Sequence, residues 1–396
     1  MAGQAKLGDP GSRVANFARN HPNKENSMPC RRPLILALAA LSLAACSDSD
    51  NTLTIDPPPP PEPEPVPFAE LYDQGVDRYL GMYTPMTSET DGDVVNHAFG
   101  AGDGPLCLTG GEYTMATRDQ GSGELMIFLE GGGACWSDLC AATEAAAPGI
   151  PPFGILNPET PGNPVASWNT AYLPYCDGSI FSGDIDVDLD DDGMTDRYHR
   201  GLKNLSAALD VVANSFPSPE RILLTGNSAG GFGTDYALPL VRKLYPDVPI
   251  ELVNDSGVGI SRPGLTDQLT EEWNSGAFIP GSCGDCIDEE GHLTNYHKYQ
   301  LAEDDNLRMG FLSTKQDTVI ADVFVGIGGA AFEAELIPEM EELEEAYPER
   351  FRSFIADGNS HTFIQAQFDL EVQGTSVKEW IGLMLEGSSD WLSLID

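Results

Sequence analysis

The residues best placed to do chemistry lie in Gly226-Asn227-Ser228-Ala229-Gly230, which fits G-x-S-x-G. A short apolar, β-forming run, Ile222–Thr225, leads into it, and Phe232–Tyr245 after it can be read as a helix. Strand, glycine-flanked serine and helix make a nucleophile elbow, in which the serine sits on a strained turn with its hydroxyl exposed. The bland alternative is a glycine-rich strand–helix turn that happens to contain a serine, so the motif needs partners. A serine hydroxyl is a poor nucleophile at neutral pH; it needs a histidine to take its proton and a carboxylate to orient that histidine. In a hydrolase built around such an elbow, the acid and then the base follow the serine in the chain. The downstream histidines are His292, His297 and His361. His292 and His297 lie in the acidic, polar stretch EEGHLTNYHKY with no strand leading into it, whereas His361 sits in a turn, Asp357–Thr362, just after the strand-like Phe351–Ile355. His361 is therefore the candidate base. For the acid, Asp317 follows the strand-like Leu307–Leu312 and is preferred to Asp255, which ends an earlier strand; Asp357 reads as a turn former.

Acyl transfer also needs hydrogen-bond donors for the oxyanion, each worth about 100- to 1000-fold in rate. Gly131-Gly132-Gly133, directly after the strand-like Glu124–Glu130, resembles the glycine turn that supplies such donors, with glutamate where histidine often stands. Backbone N–H groups there and at Ala229 could converge on the substrate oxygen. A second constellation, Asp188-x-Asp190-x-Asp192-Gly193-x-x-Asp196, matches the first nine positions of an EF-hand-like loop, whose oxygen ligands and turn glycine suit a structural calcium ion. Position twelve would be His199 rather than glutamate, and a solvated acidic loop is the competing reading.

The 396 residues carry 62 acidic and 21 basic side chains, a formal net charge of −41. No basic stripe exists to bind nucleic acid, and such a surface repels polyanions in general. Met28-Pro29-Cys30-Arg31-Arg32 followed by apolar Pro33–Ala45 reads as a signal peptide too short to span a membrane comfortably, with Met28 as the expected translation start. The run ends in Leu43-Ala44-Ala45-Cys46, a lipobox-like sequence that makes Cys46 the expected lipidation site of an exported protein anchored to a bacterial, outer membrane. Residues 1–45 are thus extension and signal, and 46–67, with Pro57–Pro67 reading PPPPPEPEPVP, an acidic polyproline-like tether. Residues 68–396 are read as a single, monomeric catalytic domain. Six cysteines remain in that body, an even number that reads as disulfides in an exported chain. Cys135–Cys140 and Cys283–Cys286 are close enough to close small loops, which leaves Cys107–Cys176; zinc is the alternative, although nearby histidines show no ligand spacing.

The elements that must position these groups alternate. Strands are expected at Glu124–Glu130, Thr170–Pro174, Ile222–Thr225, Ile250–Val253, Leu307–Leu312 and Phe351–Ile355, and a hairpin from Leu106–Cys107 and Tyr113–Thr117. Helices are expected near Leu71–Tyr79 and at Leu202–Phe216, Phe232–Tyr245, Ile337–Tyr347 and Val377–Leu385; residues 141–168 read as loop or cap. The pattern predicts an α/β fold with a mainly parallel central sheet, helices on both faces and loop-rich cap insertions.

Taken together, FLEGGGACWS (Phe128–Ser137), YCDGSIFSG (Tyr175–Gly183), HRGLKNL (His199–Leu205), LTGNSAGGFGT (Leu224–Thr234), NDSG (Asn254–Gly257) and DGNSHTF (Asp357–Phe363) resemble the pectin acetylesterase/Notum family of carboxylesterases. The resemblance implies an α/β-hydrolase fold, a Ser228–Asp317–His361 triad, an oxyanion hole from Gly132, Gly133 and Ala229, and disulfides Cys107–Cys176 and Cys135–Cys140. Relatives commonly carry tryptophan in the turn after the glycines, where this chain has Gly133-Ala134 before Cys135 and Trp136, and the Asp184–Asp196 segment looks like an insertion. The expectation is an extracytoplasmic serine esterase that needs no cofactor for catalysis and removes acetyl or other short acyl groups from a glycan. A non-catalytic glycan-binding module and a general short-chain esterase or lipase are the alternatives.

Overall fold

The structure is a computed structural model that describes residues 66–100 and 102–396. The expected translation start, signal peptide, Cys46 and nearly all of the tether lie outside the described residues. The described residues belong to one compact unit.

Its frame is a ten-stranded sheet. In chain order the strands are β1 (Thr87–Asp91), β2 (Val94–Phe99), β3 (Tyr113–Arg118), β4 (Glu124–Leu129), β5 (Asn169–Leu173), β6 (Arg221–Asn227), β7 (Ile250–Asp255), β8 (Leu307–Thr314), β9 (Phe351–Ala356) and β10 (Leu394–Ile395). They lie in the order β1-β2-β3-β5-β4-β6-β7-β8-β9-β10. The first three join to β5 by antiparallel pairing, and every neighbouring pair from β5 to β10 is parallel. The principal helices are α1 (Gly201–Ser215), α2 (Ala229–Leu244), α3 (Leu265–Glu272), α4 (Thr294–Glu303), α5 (Gly329–Ala346) and α6 (Val377–Leu385). Sheet and helices match the expected α/β-hydrolase class.

The central strands are apolar on both faces because both faces are covered, as a parallel sheet requires. Leu125, Ile127 and Leu129 of β4 face one core together with Leu205, Leu209 and Val212 of α1. Met126 and Phe128 face a second core with Trp380, Ile381 and Met384 of α6. The helix α6 starts on a capping box in which Ser376 and Glu379 satisfy each other's backbone N–H groups, a local signal worth about 1 kcal/mol.

Several sequence expectations shift in detail. The stretch before Gly104, which reads as turn, supplies β1 and β2, and β3 pairs with β2 while Leu106 makes only a single bridge to Glu112. The helix expected at Leu71–Tyr79 is a shorter turn, Ala69–Asp73. The polar stretch before Asp305 contains α3 and α4, and α5 starts at Gly329, eight residues ahead of Ile337.

Candidate active site

The sheet order brings the candidate residues together. Ser228 follows β6 directly, Asp317 lies three residues beyond β8, and His361 five beyond β9, so all three leave the carboxyl ends of nearby parallel strands. Ser228 has φ 56° and ψ −122°, a strained conformation for a residue with a side chain. The flanking glycines make that turn feasible: a Cβ on Gly230 would stand 2.0 Å from the Leu129 carbonyl oxygen, and one on Gly226 2.3 Å from the Gly230 oxygen. The Ser228 N–H donates to the Asp255 carbonyl at 2.7 Å, and α2 begins at the next residue.

Asp317 is the carboxylate that meets the histidine. His361 Nδ1 lies 2.8 Å from Asp317 Oδ2 and 3.0 Å from Oδ1, and Asp317 is fully buried. Oδ1 also accepts the N–H groups of Val319 and Ile320, so the carboxylate is held from both sides. With Nδ1–H donated to Asp317, Nε2 carries the lone pair. That nitrogen is buried and has no hydrogen-bond partner among the described residues, which leaves it available to the Ser228 hydroxyl or to a substrate proton. The two loops are laced together around the pair: Gln316 N–H donates to the Gly358 carbonyl, the Thr318 hydroxyl to that of Asn359, and the Thr314 hydroxyl to that of Ser360.

Asp255, the rival acid in the sequence, is elsewhere employed. Its Oδ2 accepts the backbone N–H groups of Phe363 and Ile364 at 2.7 and 2.9 Å, and Oδ1 accepts the Ser256 hydroxyl. Burial pushes its carboxyl up to about 6, against the lowering pull of those donors and of the nearby His361. His292 and His297 lie apart from the elbow. His297 pairs with buried Asp235 of α2 at 3.1 Å, and His292 Nδ1 accepts the Ser261 N–H.

The glycine turn lies against the elbow. Gly131 N–H donates to the Asn227 side chain, and a Cβ on Gly131 would stand 2.8 Å from that of Ser228. Gly133 and Ala229 both line an apolar pocket beside Ser228, of about 480 Å³ including its open mouth. One wall is the disulfide-closed hairpin Gly133–Cys135/Cys140–Ala142, contributing Ala134, Leu139 and Ala141. The other is a π-helical turn, Val319–Phe324, which starts two residues after Asp317 and contributes Ile320, Val323 and Phe324. Trp136 does not line this pocket; it packs edge-on against Phe324, and Ala134 lines the pocket in its place. The π turn carries no composition signal, and only its place just after Asp317 could have marked it.

All three expected disulfides form. They agree with an oxidising, exported setting. In the acidic loop, one carboxylate oxygen each of Asp188, Asp190 and Asp196 lies within 4.8 Å of the others, all exposed, at the tip of the hairpin Ile185–Val187/Arg197–His199. An all-oxygen, anionic donor set of this kind fits a hard cation. Asp192 is not in that cluster. Its N–H donates to Asp188 and Asp190, and its carboxylate accepts the Met194 N–H.

A parallel sheet bearing an elbow serine, followed in order by an acid and a histidine at neighbouring strand ends, defines the α/β-hydrolase class. Comparison with known proteins narrows this. A family model described as Pectinacetylesterase matches residues 93–276, a span that holds the glycine turn and the elbow and ends before Asp317 and His361. Similar curated proteins include pectin acetylesterase 4 of Arabidopsis thaliana, 30% identical over 39% of this chain and 41% of that protein. Pectin acetylesterase 11 of the same plant is 27% identical over 46% of this chain and 51% of its own length. The palmitoleoyl-protein carboxylesterase notum2 of Xenopus laevis is 28% identical over 44% of this chain and 41% of that protein. The chain thus resembles the pectin acetylesterase/Notum family of carboxylesterases, as its motifs imply, and the matches span about two fifths to one half of these relatives' lengths.

Proposed function

We propose that the chain is a serine carboxylic ester hydrolase that removes acetyl or other short acyl groups from a carbohydrate. The observation that carries this reading is the buried Asp317 holding His361 by Nδ1 at the carboxyl edge of the sheet that presents Ser228. In the first half-reaction Ser228 Oγ attacks the ester carbonyl while Nε2 of His361 takes its proton. Asp317 keeps the imidazole in the required tautomer and stabilises the imidazolium that forms. The N–H groups of Gly132, Gly133 and Ala229 face the developing oxyanion, and the acyl group enters the apolar pocket. The alcohol leaves with the proton from Nε2, and a water activated by the same nitrogen hydrolyses the acyl-enzyme. The strongly acidic surface favours neutral acetylated glycans over polygalacturonate.

Labelling with a serine-directed fluorophosphonate, beside p-nitrophenyl ester hydrolysis by Ser228→Ala, tests the mechanism. An unlabelled wild type that hydrolyses p-nitrophenyl esters no faster than background would leave the non-catalytic glycan-binding module as the better reading, whereas full activity in Ser228→Ala would refute Ser228 as the nucleophile. An ester panel of rising acyl length, run with acetylated xylan and pectin, ranks the substrates.

Two features of the setting are also proposed. Cys46, placed after a lipobox-like run, would carry a lipid anchor with residues 46–67 as spacer; mass spectrometry of the mature N-terminus tests it. Asp188, Asp190 and Asp196 would hold a structural Ca²⁺ that ties the hairpin tip and takes no part in the reaction.

A further inference from the structure

The catalytic reading leaves Asp255 without a role, although it is fully buried beside the histidine loop and next to the elbow. Three consecutive backbone N–H groups after His361 converge on the end of β7. Those of Phe363 and Ile364 meet Asp255 Oδ2, and that of Thr362 meets Ser256 Oγ at 3.3 Å. The Ser256 hydroxyl donates in turn to Asp255 Oδ1, which closes the cluster. Both sides of this contact are conformationally forced. Ser256 has φ 67° and Thr362 has φ 65°, the latter a β-branched residue for which that region is a genuine outlier. Such backbone persists only where its surroundings over-determine it, and the carboxylate with its two N–H donors does so here. The same residue reaches the nucleophile from its other side, because its backbone carbonyl accepts the Ser228 N–H at 2.7 Å.

We propose that Asp255 is a positioning residue that fixes the His361 loop and the Ser228 elbow to one point, so that Nε2 and the serine hydroxyl meet in register. This rests on the Ser228–His361 reading above and assigns Asp255 no contact with substrate. Its division of labour with Asp317 is spatial: Asp317 orients the imidazole ring, while Asp255 sets where the loop carrying that ring sits. A displacement of about 1 Å between reacting groups costs on the order of 100-fold in rate, which sets the scale of the effect.

The test compares Asp255→Ala, Asp255→Asn and Ser256→Ala with wild type and Ser228→Ala, using p-nitrophenyl acetate kinetics with circular dichroism and Tm as folding controls. Asp255→Ala should lower kcat about 100-fold with KM changed less than about threefold, since the loop is released while the acyl pocket is intact. Asp255→Asn should recover most of kcat, because its amide oxygen can replace Oδ2 as acceptor for both N–H groups and its NH₂ can face Ser256 Oγ. Ser256→Ala should lose about tenfold in kcat by the same route. A folded Asp255→Ala with wild-type kcat overturns the proposal, as does an Asn variant as inactive as Ala, which would mean that charge rather than position matters. If Asp255→Ala does not fold, full kcat in Ser256→Ala overturns it equally. Activity surviving in Ser228→Ala would instead refute the catalytic reading itself, so the two failures are told apart.

Discussion

Replacing Asp255 by asparagine should change how stability depends on pH, and the size of that change can be worked out. The carboxyl ionises at 3.8 when solvated and at about 6 in the folded protein, because burial penalises the anion more than its donors repay. A raised pKa in an acid means that the native state holds a proton which the unfolded state releases first. The wild type should therefore lose stability as pH rises from about 4 to about 6, and the loss should be flat above that window. The gap corresponds to about 3 kcal/mol. For a folded body of roughly 330 residues, unfolding entropy of about 2.1 cal/mol/K per residue converts this to about 4 °C in Tm. Asparagine has no proton to release, so the Tm difference, variant minus wild type, should climb by about 4 °C between pH 4 and pH 7. Taking the difference cancels the other carboxylates, which titrate alike in both proteins. The assay is thermal unfolding followed by fluorescence or circular dichroism across a buffer series. Parallel Tm curves would refute the reasoning, because they would show that Asp255 is no harder to ionise in the fold than in water.

Other perturbations follow from the same geometry. Asp317→Asn should lower kcat about 10⁴-fold, by favouring the wrong imidazole tautomer, with KM little affected; steady-state kinetics on p-nitrophenyl acetate checks it. Gly230→Ala should abolish soluble, labelled enzyme, because the new methyl would overlap the Leu129 carbonyl at 2.0 Å; expression level and fluorophosphonate labelling report it. Replacing Cys107 and Cys176, which close a 69-residue separation, by alanines should cost about 4 kcal/mol of stability in denaturant unfolding. Ca²⁺ at about one hundred times its Kd should stabilise the wild type by about 2.7 kcal/mol and leave an Asp188→Asn/Asp190→Asn variant unmoved, read as Tm with and without chelator.

Much of the frame was legible because parallel strands buried on both faces must be continuously apolar. ELMIFL and RILLTG announce themselves for that reason, and the order serine, acid, histidine follows from strand ends that apolar runs mark. The strand Thr87–Asp91 was not legible, being exposed throughout at the sheet edge, with TSETD offering no alternation to read. The helix α4 escaped for the opposite reason: Thr294, His297 and Gln300 are buried polar residues, His297 paired with the Asp235 carboxylate and Gln300 donating to the Asp235 carbonyl, so no apolar face repeats. At the site, Ser228, Asp317 and His361 carry side-chain chemistry that a sequence displays. Asp255 looked like a rival acid because residue type and strand-end position cannot say which carboxylate meets the imidazole. The hydrogen bonds separate the two: His361 Nδ1 meets Asp317, while Asp255 accepts the N–H groups of Phe363 and Ile364. The pocket wall at Val319–Phe324 was invisible because a π turn is defined by its backbone bonding, here Val325 N–H to the Ile320 carbonyl, and not by composition.

The walls of the acyl pocket belong to a small hairpin and a π turn outside the ten-stranded sheet, whereas the reacting groups follow the carboxyl ends of β6, β8 and β9 within it. This separation makes the chain a convenient starting point for retargeting. Substitutions at Leu139, Ala141 and Val323 reshape the space offered to the acyl group from outside the ten-stranded sheet and spare Val319 and Ile320, whose N–H groups hold Asp317. A library confined to those positions should vary chain-length preference while retaining fluorophosphonate reactivity, so variants could be sorted for new substrates without first being screened for survival of the chemistry.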